Sequence, residues 1–294
     1  MQAIDRTALK RVTEGIVALP TLPLVASRLL EAVARPDTDS ETVGRILSLD
    51  PALTARTLRL ANSDFYGFPR KVGSVDLAVV VLGANTIRDL VLSASIMPSL
   101  DGPDGEMEGL WNHSLACGVA ARSLAERCRY RLTGEAYAAG ILHDIGKVVL
   151  RQTDPERFQA VLAMARDQGQ PMEEAERGLF GSSHAEVGAW LAERWGLPAE
   201  MVEAIACHHR PESAVRNREL AVLVHIANCL TERAGLSWPN GAGSHPVSPS
   251  AWELVEMDGP RREALLEELV QDVVRETERE RALFAEFRGP QEAG

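Results

Sequence analysis

The run Gly140-Ile141-Leu142-His143-Asp144-Ile145-Gly146-Lys147 sets an imidazole beside a carboxylate, the residue types that hold metals and move protons. Read as a helix, it puts Asp144 on the line of Tyr137, Ile141 and Val148, an apolar face at three-to-four-residue spacing. A carboxylate on that face points into the core. Left unpaired there it either takes up a proton or carries a large desolvation cost, so it requires a cation beside it. Two partners are open: Lys147, three residues on, which would make a structural ion pair, or a metal held together with imidazoles from elsewhere in the chain.

The other histidines bear on that choice. Of seven in the chain, His113, His184, His208, His209 and His225 join His143 in helix-like segments. His113 heads the stripe Cys117, Ala120, Leu124 and so lies on a buried helix face. Ser183 and Glu186 have the spacing of a capping box, which fixes His184 at a helix start, with Val187, Trp190 and Leu191 inward and Gly188 leaving room for a neighbouring backbone. His208 and His209 end a helix whose inward positions are Met201, Val202 and Ile205. One such histidine would read as a hydrogen-bonded core residue. Four helices, each delivering one or two imidazoles, read as a ligand set.

The elements that must position these groups are helices. Alternating β-branched and aromatic runs are missing and apolar residues recur at helical spacing, so the expected fold class is all-α. Thr38 with Glu41, and Asp50 followed by Pro51, mark helix starts. Loop chemistry from Pro98 to Gly105 divides an N-terminal helical subdomain, residues 1–100, from a second helical subdomain, 101–234. A breaker-rich linker, 235–250, precedes an amphipathic C-terminal helix, 251–294, with Leu266, Val270, Val273 and Phe284 on one face. That helix packs back onto the body or offers a partner surface.

The chain has 294 residues and a net charge of −11, with Lys10, Lys71 and Lys147 its only lysines. Residues 251–294 hold 12 acidic against 6 basic side chains. An acidic surface repels phosphate backbones, so nucleic-acid binding is disfavoured. The longest apolar run, Leu77 to Leu82, is far short of the ~20 residues a bilayer requires, and no signal pattern opens the chain. A cytoplasmic protein is expected. Cys117, Cys128, Cys207 and Cys229 lack metal-ribbon or Cys-x-x-Cys spacing and are expected as buried free thiols. No Gly-rich phosphate loop and no Ser-His-Asp or Cys-His arrangement can be argued.

The histidine motifs resemble the HD superfamily of metal-dependent phosphohydrolases, and more closely its HDOD (HD-related output domain) branch. The HD-like part runs from about Trp111 to Thr231: Trp111-Asn112-His113-Ser114, Leu142 to Lys147, His184 to Leu191, and His208-His209. Upstream, Leu19-Pro20-Thr21-Leu22-Pro23, Asp50 to Arg56, Leu60-Ala61-Asn62-Ser63 and Ala78 to Gly83 resemble the rest of the HDOD signature. The resemblance implies a multi-helix HDOD fold in a bacterial protein, its N-terminal subdomain packed on an HD-like one. It also implies a metal site from His113, His143, Asp144, His184, His208 and His209. Two departures qualify this. The late aspartate that closes the site in HD hydrolases is matched by Asn228, a neutral oxygen donor, and divalent ions favour carboxylate over amide. The Gly-Tyr-Pro motif of cyclic-dinucleotide phosphodiesterases is absent after His209. The resemblance therefore implies a regulatory module of signal transduction, non-catalytic, with protein partners and a divalent ion (Mn, Fe, Mg, Ni or Zn) weakly held or absent. The rival is a metal-dependent phosphohydrolase of nucleotides or cyclic dinucleotides, with Asp144 bridging two ions and Lys147 steadying phosphate charge. A third reading uses the same pocket to bind a nucleotide without turnover.

Overall fold

The computed structural model describes residues 23–35, 37–67, 71–100, 107–239, 246–254 and 262–288. The class is all-α, with no strand among the described residues. The chain divides into two compact units. Leu19 to Leu22 of the opening motif, residues 101–105 of the expected loop and part of the expected linker lie outside the described residues.

One unit comprises residues 22–98 and 275–294. Its helices are α1 (Leu24–Val33), α2 (Ser40–Leu47), α3 (Pro51–Ala61), α4 (Val75–Leu82) and α5 (Ala84–Leu100). Leu29, Val43, Leu47, Leu60, Ile87 and Val91 are buried. Asp50 opens α3 as its sequence requires, accepting the Ala52 and Leu53 amides at 2.8 and 3.1 Å with Pro51 in the first turn. The α2 cap differs from the expectation. Asp39, not Thr38, accepts the Thr42 amide at 2.8 Å, because the Thr38 hydroxyl is turned back to donate to the Ala32 carbonyl at the end of α1. Helix α5 also runs on to Leu100, so Pro98 to Leu100 are helical rather than loop. Asn62 fastens the segment before α4 in both directions, donating to the Val72 carbonyl at 2.9 Å and accepting its amide at 2.8 Å.

The other unit includes residues 99–274. It contains α6 (Glu108–Arg127), α7 (Thr133–Leu142), α8 (Ile145–Thr153), α9 (Pro155–Gln168), α10 (Met172–Phe180), α11 (His184–Arg194) and α12 (Ala199–Cys207). A 3₁₀ turn, Pro211–Ser213, then leads to α13 (Arg218–Arg233) and α14 (Pro249–Leu254). Helix α15 (Arg262–Arg288) belongs to this unit as far as Val274 and to the other from Arg275. Arg127 pairs with Glu268 at 3.2 Å and Asp272 at 2.5 Å. The apolar side of α15 is buried through Leu266, Leu269, Val273, Phe284 and Phe287, with Val270 only half-buried.

Two glycine contacts set the helix spacing in this unit. Gly140 of α7 lies against α6, where a Cβ at 140 would come within 2.7 Å of the Cys117 carbonyl. Gly146 of α8 lies against α11, where a Cβ at 146 would come within 2.0 Å of the His184 carbonyl and 2.7 Å of the Gly188 amide. A side chain at either position would force the helices apart. Without one, α6 and α11 approach the two ends of the His143-Asp144 segment.

Candidate metal centre

The expected continuous helix through Asp144 is broken. Helix α7 stops at Leu142 and α8 starts at Ile145, so His143 and Asp144 form the corner between them. Asp144 is buried as expected, but because the chain turns there and not because it sits on a helical stripe. His113 lies on the inward side of α6. His184 is the first residue of α11, placed by the capping box in which the Ser183 amide donates to Glu186 at 2.9 Å. His208 and His209 follow α12, and Asn228 lies in the middle of α13. His113, His143, Asp144, His184, His208 and Asn228 are all buried, and His209 is partly so.

The Asp144 carboxylate faces histidines on both sides. Its Oδ2 lies 3.4 Å from the Nε2 atoms of both His113 and His143. Its Oδ1 lies 3.2 Å from His184 Nε2 and 3.9 Å from His208 Nε2. His209 Nε2 lies 2.9 Å from His184 Nε2, which is itself 3.4 Å from His208 Nε2. Two groups that could each hold a metal ion result, His113/His143/Asp144 and His184/His208/His209, the second facing Oδ1 of Asp144.

The opposite ring nitrogens of four of the five histidines hold their Nε2 atoms inward. His113 Nδ1 donates to the Leu236 carbonyl at 2.9 Å, His143 Nδ1 to Gly140 at 2.7 Å, and His208 Nδ1 to Ile205 at 2.7 Å. A carbonyl can only accept, so the proton is on Nδ1 in each. His184 Nδ1 donates to Glu176 Oε2 at 2.6 Å, and the same oxygen accepts the His184 amide at 2.7 Å. This anchoring of the far ring nitrogen is the arrangement that orients metal-ligating histidines. His143 Nε2 and Asn228 Oδ1 are buried with no hydrogen-bond partner. Those orphaned atoms, and the Nε2 atoms of His184 and His208, which face each other at 3.4 Å as lone pairs and cannot hydrogen-bond to one another, fit a divalent ion or a pair of ions in this cluster.

The electrostatics follow from the crowding. Burial opposes charge on Asp144, yet His143 and Lys147 hold its carboxyl well below the usual range. Burial likewise opposes protonation of His143, but the Asp144 carboxylate overrides it and raises that ring well above the ordinary histidine value. Burial pushes His113 down to about 4, and burial with neighbouring histidines depresses His208 and His209. Lys147 Nζ sits 2.5 Å from Asp144 Oδ2 and 5.7 Å from the Trp238 ring centroid. The expected ion pair is therefore present alongside the histidines. A cavity of about 210 Å³ opens beside the cluster, lined in part by His113, Asp144, Lys147, His209, Asn228 and Trp238.

His225, one of the helix-borne histidines, stands apart from the cluster. Its Nδ1 donates to the His208 carbonyl at 2.8 Å and its Nε2 accepts the Ser248 amide at 2.9 Å, a structural role. Trp190 and Val202, read as inward, are only half-buried, and Arg194 covers the Trp190 ring at 5.1 Å. The four cysteines are free thiols. Cys117, Cys207 and Cys229 are buried, whereas Cys128, capping the end of α6, is half-buried. Burial raises the Cys207 thiol to about 11. Sequence reasoning missed Glu176, fully buried behind His184. Its signal was there: a carboxylate on the inward line Met172, Ala175, Glu176, Phe180 of α10, hidden in an otherwise ordinary charged helix.

The fold and cluster define a helical HD-type protein, and the chain belongs to the HDOD domain family, whose model matches residues 19–211. The match stops short of Asn228. A protein of unknown function from Geobacter sulfurreducens, described as an HDOD domain protein, superposes with a TM-score of 0.75 at 28% identity, covering 96% of this chain and 98% of its own. A candidate signal transduction protein of Marinobacter aquaeolei VT8 gives 0.78 at 26% identity, over 97% of this chain and 65% of that one. A candidate phosphohydrolase of Shewanella amazonensis SB2B gives 0.67 at 28%, over 97% and 100%. An uncharacterised protein of Treponema pallidum (strain Nichols) is 28% identical over 219 residues, 74% of this chain. This chain spans only 43% of that relative's length. No single helix among the described residues is long and apolar enough to cross a membrane.

Proposed function

We propose that this chain is a regulatory module of signal transduction whose HD-like site binds divalent metal without hydrolysing a phosphoester, and whose surfaces engage protein partners. The observation that carries this reading is Asn228. A neutral amide and Asp144 line the same cavity, and the sequence resemblance matches that amide to the late carboxylate of HD hydrolases. The ligands are His113, His143, Asp144, His184, His208 and His209, with the Asn228 oxygen added. The similarity to the Marinobacter protein supports the signalling role. Purified protein supplied with Mn²⁺ is expected to leave cyclic dinucleotides and nucleoside phosphates intact. Metal-dependent turnover near one per second, a rate typical of ordinary enzymes, that vanishes when His184 is replaced by Gln would overturn the non-catalytic reading.

The second reading, a metal-dependent phosphohydrolase, is favoured by Lys147. Its ammonium lies in the cavity wall beside Asp144, where it could hold a phosphate. The similarity to the Shewanella protein points the same way. A divalent ion in such a site supplies Lewis-acid polarisation of a phosphoryl oxygen. The remaining roles fall to the chain: Glu176 and the three carbonyls orient the rings, and Lys147 supplies a buried positive charge.

A further inference from the structure

We propose that Asn228 and Glu232 act together as a surrogate carboxylate for the ion held by His113, His143 and Asp144, a proposal that rests on the metal-binding reading of the site. Glu232 follows Asn228 by four residues on α13, so both side chains lie on the same helix face. Both line the cavity. Asn228 Nδ2 donates to Glu232 Oε1 at 3.3 Å, while Asn228 Oδ1 is buried and has no hydrogen-bond partner. The amide is thus oriented at both ends: its nitrogen is engaged by a carboxylate, and its oxygen is presented unpaired within a cavity that His113 and Asp144 also line.

That orientation has an electronic consequence. An amide whose N–H groups donate to an anion shifts charge onto its carbonyl oxygen, as chains of hydrogen bonds polarise one another in a low-dielectric interior. The Asn228 oxygen becomes a better ligand for a hard cation, and the charge that an aspartate would carry is supplied one hydrogen bond away by Glu232. The role is a positioning and polarising one for Glu232 and a ligating one for Asn228. Support of this kind from outside the ligand shell typically changes metal affinity by about 10–100-fold.

The test is a calorimetric titration of the full chain with Mn²⁺, comparing wild type, Glu232→Gln and the exchange Asn228→Asp/Glu232→Gln. The single substitution removes the carboxylate and is expected to weaken one class of Mn²⁺ site about tenfold. The exchange retains an amide–carboxylate hydrogen bond and the same total charge, with the carboxylate moved to the ligand position, and is expected to restore at least wild-type affinity. Wild-type affinity in Glu232→Gln would overturn the proposal while leaving the metal site intact. So would failure of the exchange to rescue, since Glu232 would then be acting on something other than Asn228. If wild type binds no Mn²⁺, the metal-binding reading itself fails, and this inference with it. Should Glu232→Gln not fold by circular dichroism, Asn228→Ala replaces it, with the same tenfold loss expected and unchanged affinity contradicting the proposal.

Discussion

Gly146 and His184 touch through their backbones: a Cβ on residue 146 would lie 2.0 Å from the His184 carbonyl oxygen. The contact joins the corner that carries Asp144 to the helix start that carries His184, so the same glycine governs stability and ligand geometry. Gly146→Ala is expected to cost about 3 kcal/mol, the upper end of ordinary overpacking. The variant should also lose metal affinity, because α11 must move outward and take His184 with it. Chemical denaturation of wild type and variant without metal checks the first expectation and Mn²⁺ titration the second; unchanged stability would mean the two helices are not in contact.

Glu203 makes a prediction about pH. Its buried carboxylate accepts backbone amides from Val215, Arg216 and Asn217 at 3.0, 2.7 and 3.0 Å, at the entry to α13. Burial would raise its pKa, but the three amides outweigh that and lower it. A carboxylate depressed in the folded state stabilises above its unfolded pKa, about 4.3 for glutamate, and loses that stabilisation as pH falls through the folded value. Glu203→Gln is therefore expected to cost about 2 kcal/mol at pH 7, with the difference from wild type shrinking below pH ~4. Denaturant unfolding at pH 7 and below pH 4 measures both; a gap independent of pH would contradict it.

His225 separates a structural histidine from a ligand. Both its ring nitrogens are engaged by backbone, at the His208 carbonyl and the Ser248 amide. His225→Gln is expected to lower stability by about 1–2 kcal/mol and to leave metal stoichiometry unchanged. Loss of an equivalent of Mn²⁺ in that variant would place His225 in the ligand set.

How much of this was legible in the chain depends on the range of the interaction. The helical class was legible because apolar spacing is repeated over many residues. The caps at Asp50 and Ser183 were legible because each is completed within three residues. Convergence of the histidines could be argued from their inward positions. The break at His143-Asp144 was not, since the apolar spacing of Tyr137, Ile141 and Val148 continues across it, and the close approach of α11 at Gly146 is a tertiary contact. Thr38 failed as a cap for a similar reason: the Ala32 carbonyl that claims its hydroxyl lies in the preceding helix. Glu176 and Glu232 read as ordinary charges on amphipathic helices. Only the partners that face them in the fold, His184 and Asn228, give them a role.

The most direct test concerns Asp144, whose two oxygens face separate histidine groups. If the carboxylate bridges two ions, each group can be emptied without the other. Mn²⁺ titration of the wild-type chain is expected to give two equivalents, one for each group of ligands. His143→Gln should remove one equivalent and His184→Gln the other, each leaving a folded protein with a single remaining site. No binding to the wild-type chain, or wild-type stoichiometry in both variants, would contradict the proposed metal centre.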